Sequence, residues 1–165
     1  MRRPERIEPG PGQESVWDYP RPPRLEPTHS RVEVEFGGVV IADSTRALRV
    51  LETSQPPAFY LPPDDVALER LVASGTQTFC EWKGLASYVS LVVGDRRAED
   101  AGWFYAHPTS TYDALAGHFA FYAQKVDACT VDGELVDANE GSFYGGWITS
   151  RVVGPFKGGA GSMGW

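Results

Sequence analysis

The sequence predicts a mainly β, single-domain protein. The expected fold is an antiparallel meander of eight to ten short strands, curled into an open-barrel sheet, with one short helix and irregular extensions at both ends. Three observations carry this. Apolar and polar residues alternate with period two in successive segments after Arg31, the pattern of strands with one buried face. The pairs Gly37-Gly38 and Asp132-Gly133 stand between such segments and suit the left-handed turns of tight hairpins. Only the stretch from Pro62 to Val72 breaks the rhythm.

Residues 1–30 read as an arm. Seven of the 13 prolines fall there; each fixes φ and removes a donor, which excludes helix and central strand. Disorder is expected to about Gly12. Beyond it Val16, Trp17 and Tyr19 are expected to dock, because rings in a free tail would waste their burial. The β domain is expected over residues 31–140. In "RVEVEF", Val32, Val34 and Phe36 alternate with charges, and "VVIA" is the partner strand across Gly37-Gly38. "RALRVLET" reads as a third strand. In "FYLPPDDVALERLVA", Asp64 or Asp65 is expected to cap a short helix burying Val66, Leu68, Leu71 and Val72. Strands resume with "TQTFCEWK", "LASYVSLVV", "DAGWFYA", "GHFAFYA" and "VDACTV". Residues 141–165 read as a glycine-rich strap that packs Trp147 and Phe156 against the domain.

Composition narrows the function. The net charge of −7 opposes a general nucleic-acid role; the one tight basic cluster is Arg2, Arg3 and Arg6. No apolar run reaches the roughly 20 residues of a membrane span, and the charged, proline-rich start does not resemble a secretory signal. A cytoplasmic protein is expected. Cys80 and Cys129 are too few for a four-thiolate site, and His29, His107 and His118 lack metal-ligand spacing. No metal and no cofactor are expected. Gly159 to Gly164 fits G-x-G-x-x-G, but no helix follows to hold a pyrophosphate.

The segment "TFCEWKGLASY" concentrates chemistry. As a strand to Lys83 it places Thr78, Cys80 and Trp82 on one face, with Phe79, Glu81 and Lys83 on the other. Cys80 reads as a small core residue. Lys83 has two readings: the mouth of an aromatic-walled cavity, or a solvated charge. Glu52 shares parity with Leu48 and Val50; if that face is the core, it needs Arg46, Lys83 or a tyrosine as partner. With the opposite parity, Arg49 and Leu51 point inward. The candidate ligand-binding set is Glu52, Tyr60, Trp82, Lys83, Tyr88, Trp103 and Tyr105; no catalytic residue is assigned. The rings suit a planar or cationic ligand.

"VEFGGVVIADSTRALRVLET", "FYLPPDDV", "TFCEWKGLASY", "WFYAHP" and "GHFAFY", in this order, resemble the bacterial family called domain of unknown function 427. The resemblance covers about residues 31–137, is most specific at Cys80-Glu81-Trp82-Lys83-Gly84, and has the extensions of an actinobacterial-type member. It implies a compact β fold similar to the β-tent of small ligand-binding domains, and carries a nucleotidyltransferase-like label. That chemistry usually needs clustered carboxylates holding divalent metal, and no D-x-D pair is present. The expected function is binding of a small molecule, with the question of an enzyme left open. The alternative is a non-catalytic module whose arm and strap contact a protein partner.

Overall fold

The computed structural model describes residues 3–140 and 145–165. Met1, Arg2 of the basic cluster, and the first four residues of the expected strap lie outside the described residues. Fifteen strands are described: β1 (Glu14–Ser15), β2 (Arg24–Pro27), β3 (Val32–Phe36), β4 (Val39–Ser44), β5 (Leu48–Leu51), β6 (Ala58–Tyr60), β7 (Leu71–Cys80), β8 (Gly84–Val93), β9 (Arg96–Phe104), β10 (Phe119–Phe121), β11 (Ala128–Val131), β12 (Glu134–Leu135), β13 (Asp137–Ala138), β14 (Trp147–Ile148) and β15 (Val152–Val153). Five of them are only two residues long, which accounts for the excess over the expected count.

The strands form a mainly antiparallel fold in several sheets, none closed into a barrel. Two four-stranded sheets run β10-β9-β8-β7 and β12-β11-β3-β4, and a third runs β2-β5-β6. Leu61 and Phe119 exchange backbone bonds of 2.8 and 2.9 Å, linking the β6 end to β10. The alternation in β3 buries Val32, Val34 and Phe36, as period two dictates. Gly37 and Gly38 both have positive φ, as do Asp132 and Gly133, so the hairpin turns stand where their residue types ask for them.

Three clusters fill the interior. β3 and β4 pack Val34, Phe36 and Ile41 with Phe59, Leu91, Phe121 and Trp147. An aromatic cluster gathers Tyr60, Trp103, Tyr105, Tyr112 and Tyr122. The third joins Val16 and Tyr19 of the arm to Leu51 and Val152. Val50 belongs to the aromatic cluster and Leu51 to the arm cluster, so both faces of β5 are covered. The two parities open for "RALRVLET" therefore both describe apolar faces. Arg49 on the arm side is held by Glu14 at 2.9 Å and Glu26 at 2.6 Å.

The arm is anchored from within its first turn of sequence. Ile7 N–H donates to Gly154 O at 3.2 Å and Arg6 pairs with Asp18 at 2.6 Å. β1 lies parallel to β15 of the strap, and Trp17 Nε1–H donates to Pro155 O at 2.9 Å. The end of the expected arm is an edge strand, β2, where Pro27 costs no ladder bond.

The stretch after Pro62 does not bury the expected helical stripe. It makes two 3₁₀ turns, Pro63–Asp65 and Leu68–Arg70, and enters β7 at Leu71. Leu68 and Val72 are exposed, while Val66 is buried. Asp65 caps nothing; it accepts from Ser44 Oγ at 2.7 Å and from Arg46 at 2.9 Å. Pairing of β7 with β8 at seven positions, on both sides of a bulge between Ala73 and Gln77, outweighs the weak preference of a short segment for helix.

Candidate functional site

The site is built at the tip of the β7–β8 hairpin. β7 ends at Cys80, which pairs with Gly84. Glu81, Trp82 and Lys83 form the connecting turn, so the strand does not run to Lys83 as its alternation suggests. A three-residue turn resets the parity and carries Lys83 to the side of Thr78 and Cys80. Gly84 has φ of 103°, a conformation that L side chains resist; this turn requires its glycine. The loop before the next 3₁₀ turn holds the tip. Thr109 N–H donates to Lys83 O at 3.0 Å, and Thr109 Oγ1 donates to Trp82 O at 2.6 Å.

Beneath the tip lies a cavity of about 260 Å³, and Glu52, Tyr60, Trp82, Lys83, Tyr88, Trp103 and Tyr105 all line it. Tyr60 comes from β6, Tyr88 from β8 and Trp103 from β9. Their rings interlock: Tyr60 and Trp103 meet edge to face at 6.1 Å, and Trp103 meets Tyr122 at 4.6 Å. Trp103 Nε1–H donates to the Tyr60 hydroxyl at 3.1 Å. A second chain links the Thr78, Tyr88 and Tyr122 hydroxyls at 3.1 and 3.3 Å. Burial pushes the phenols of Tyr105 and Tyr122 above the ordinary range, which keeps them protonated at neutral pH.

Lys83 is half-buried, its ammonium 5.7 Å from the centre of the Tyr105 ring. Burial works against that charge, while Tyr60, Cys80 and Glu52 around it, Cys80 through a hydrogen bond, favour it and raise its pKa. Among the described residues no carboxylate lies within ion-pair distance of Lys83. Glu52 sits on the wall but is engaged elsewhere. Its carboxylate accepts from Arg21 Nε at 3.2 Å and from Gln55 at 3.0 Å. The expected partners Arg46, Lys83 and tyrosine are therefore replaced by an arginine of the arm. Arg46 is committed to Asp65 instead.

Sequence reasoning placed Cys80 in the core; it is half-buried and borders the cavity. It also left out Thr78, Tyr122, Gly145 and Gly146. Tyr122 is signalled by the aromatic run in "GHFAFY". The glycines carry no such signal: a Cβ on Gly145 would enter the Trp103 ring and one on Gly146 would strike Pro56, a closeness only tertiary packing creates. His107 is exposed, and among the described residues no three His, Cys, Asp or Glu gather in a metal-holding group.

Fold and site together define a small antiparallel β protein with an aromatic-walled cavity and a lysine set into its wall. The chain belongs to the family described as Domain of unknown function (DUF427), whose profile matches residues 24–132. No curated protein matches it. The matched span starts at β2 and contains the seven candidate residues; the strap residues of the cavity, Gly145, Gly146 and Lys157, lie beyond it. Among the described residues no helix is long and apolar enough to cross a membrane.

Proposed function

We propose that this protein binds a small molecule in the aromatic cavity. One observation carries the reading: interlocked aromatic side chains line a concavity of about 260 Å³ that opens to solvent, the concave, largely apolar shape that small-molecule sites take. Hydroxyls and the lysines Lys83 and Lys157 also line the space. A few polar groups set in an aromatic wall are the usual make-up of a ligand site. Binding is favoured over nucleotidyl transfer because no carboxylate cluster stands ready to hold divalent metal among the described residues. The test is native mass spectrometry of the freshly purified protein, with and without denaturation. A released compound that Trp103→Ala fails to retain, while remaining folded, supports the reading. Retention unchanged by that substitution overturns it.

The alternative, a protein-interaction module, draws on a different feature. Phe79 and Leu85 are cross-strand partners at the hairpin tip and are 73% and 49% exposed. Among the described residues, Trp17 of the arm meets Trp165 of the strap, and Trp147 stacks on Phe59 of the domain. If the patch is the function, Leu85→Ser abolishes association with the partner and Lys83→Met leaves it intact.

A further inference from the structure

We propose that the ligand of the cavity is a small planar monoanion of the aromatic carboxylate class, with Lys83 as its counter-ion. This rests on the binding reading above and adds the chemistry of the occupant.

Charge decides between the two ligands that aromatic walls accommodate. An aromatic cage alone suits a cation. Here the cation position over Tyr105 is already taken by Lys83. A cationic ligand would set two like charges together beside the Tyr105 ring. An anion would meet an ammonium that no carboxylate of the described residues pairs with. Of the carboxylates on the wall, Glu52 is held by Arg21 and Gln55, and Glu81 is exposed at the rim. A partly desolvated ammonium gains most from a partner that brings the opposite charge.

The hydrogen inventory points the same way. The indole of Trp103 only donates, and the Tyr60 hydroxyl it reaches also meets the Tyr105 hydroxyl, so three hydrogens serve two mutual bonds and one remains over. Thr78, Tyr88 and Tyr122 bring three hydrogens to two mutual bonds, so one remains over. Lys83 adds N–H donors and no acceptor. With the phenols protonated, the wall offers hydrogens to an occupant that accepts them. A carboxylate supplies such acceptors and no donors.

Size agrees with such an occupant. The volume of about 260 Å³ equals about nine waters at their liquid volume. That is room for one ring and a carboxylate. A planar occupant suits walls built from the rings of Tyr60, Trp103 and Tyr122.

Isothermal titration at low ionic strength with benzoate, benzamide and phenyltrimethylammonium tests this. The three probes share a ring and differ in charge. Benzoate is expected to bind at least about ten-fold more tightly than benzamide, with phenyltrimethylammonium weaker still; tenfold corresponds to the loss of one modest charge pair. Lys83→Met is expected to bring benzoate down to the benzamide level without lowering the melting temperature. Lys83→Arg, which keeps the charge, is expected to retain the preference for benzoate. Benzamide or phenyltrimethylammonium binding as tightly as benzoate overturns the anion assignment and leaves the cavity reading standing. A benzoate preference unchanged in Lys83→Met also overturns it, because the charge then lies elsewhere. Absence of binding by all three probes, with no compound released in mass spectrometry, overturns both.

Discussion

Tyr60→Phe tests the construction of the cavity wall directly. The substitution removes one oxygen and keeps the ring. In the native protein that oxygen accepts the indole hydrogen of Trp103 at 3.1 Å, and both side chains are buried, at 1% and 7% exposure. Losing the acceptor strands a buried donor, which costs about 1–3 kcal/mol. For a chain of this size each kcal/mol lowers the melting temperature by about 3 °C, so a fall of roughly 3–9 °C is expected. A cavity water that takes over the indole hydrogen would bring the value toward the lower end. The cause is isolated by a double-mutant cycle with Trp103→Phe, read by circular dichroism in urea. If the bond is made, the two losses are not additive, and the coupling is about 1 kcal/mol or more. A melting temperature for Tyr60→Phe within about 1 °C of wild type, with coupling inside the roughly 0.3 kcal/mol noise of such cycles, would refute the reasoning. The hydrogen inventory of the cavity would fall with it.

Other outcomes follow from the same contacts. Val16→Ala, at a fully buried arm position, is expected to cost about 2 kcal/mol in urea unfolding, more than deletion of residues 1–12; equal losses would mean the arm is not anchored at Val16. Glu14 is held below its ordinary value of 4.5 chiefly by its hydrogen bond to Arg49, and Asp65 below 3.8 chiefly by Arg46. Because both folded values are depressed, their contribution is complete above the ordinary values and is lost as pH falls through the lowered ones. The urea midpoint should therefore hold between about pH 7 and 5 and drop below about pH 4, with a shallower drop in Glu14→Gln. Burial pushes the Cys129 thiol up to about 12, while Cys80 borders the cavity. Iodoacetamide at mildly alkaline pH should label Cys80 first and Cys129 only on denaturation, as peptide mapping will show. Gly145→Ala should displace the Trp103 ring and weaken benzoate binding more than it lowers stability.

Local rules made much of this fold readable from sequence. Period two placed Val32, Val34 and Phe36 inward, and the glycine-containing turns fell where left-handed backbone was needed. The wall residues Tyr60, Tyr88, Trp103 and Tyr105 were legible because large rings on consecutive short strands have to share an interior. The proposed helix after Pro62 failed because cross-strand pairing to β8, which lies downstream, outweighed a weak local preference. Lys83 appeared on the wrong face because alternation counts residues along a strand, and a three-residue turn interrupts that count. The partner of Glu52 was invisible for another reason. Arg21 lies 31 residues away in an arm, and only folding the arm against β5 brings the two together. Sequence by itself determined the strands whose alternation is local, such as Val32–Phe36, and the glycine turns between them. Tertiary structure decided which of those strands face one another, which charges meet and what space stays open between them, because those are properties of distances between segments that no local period encodes.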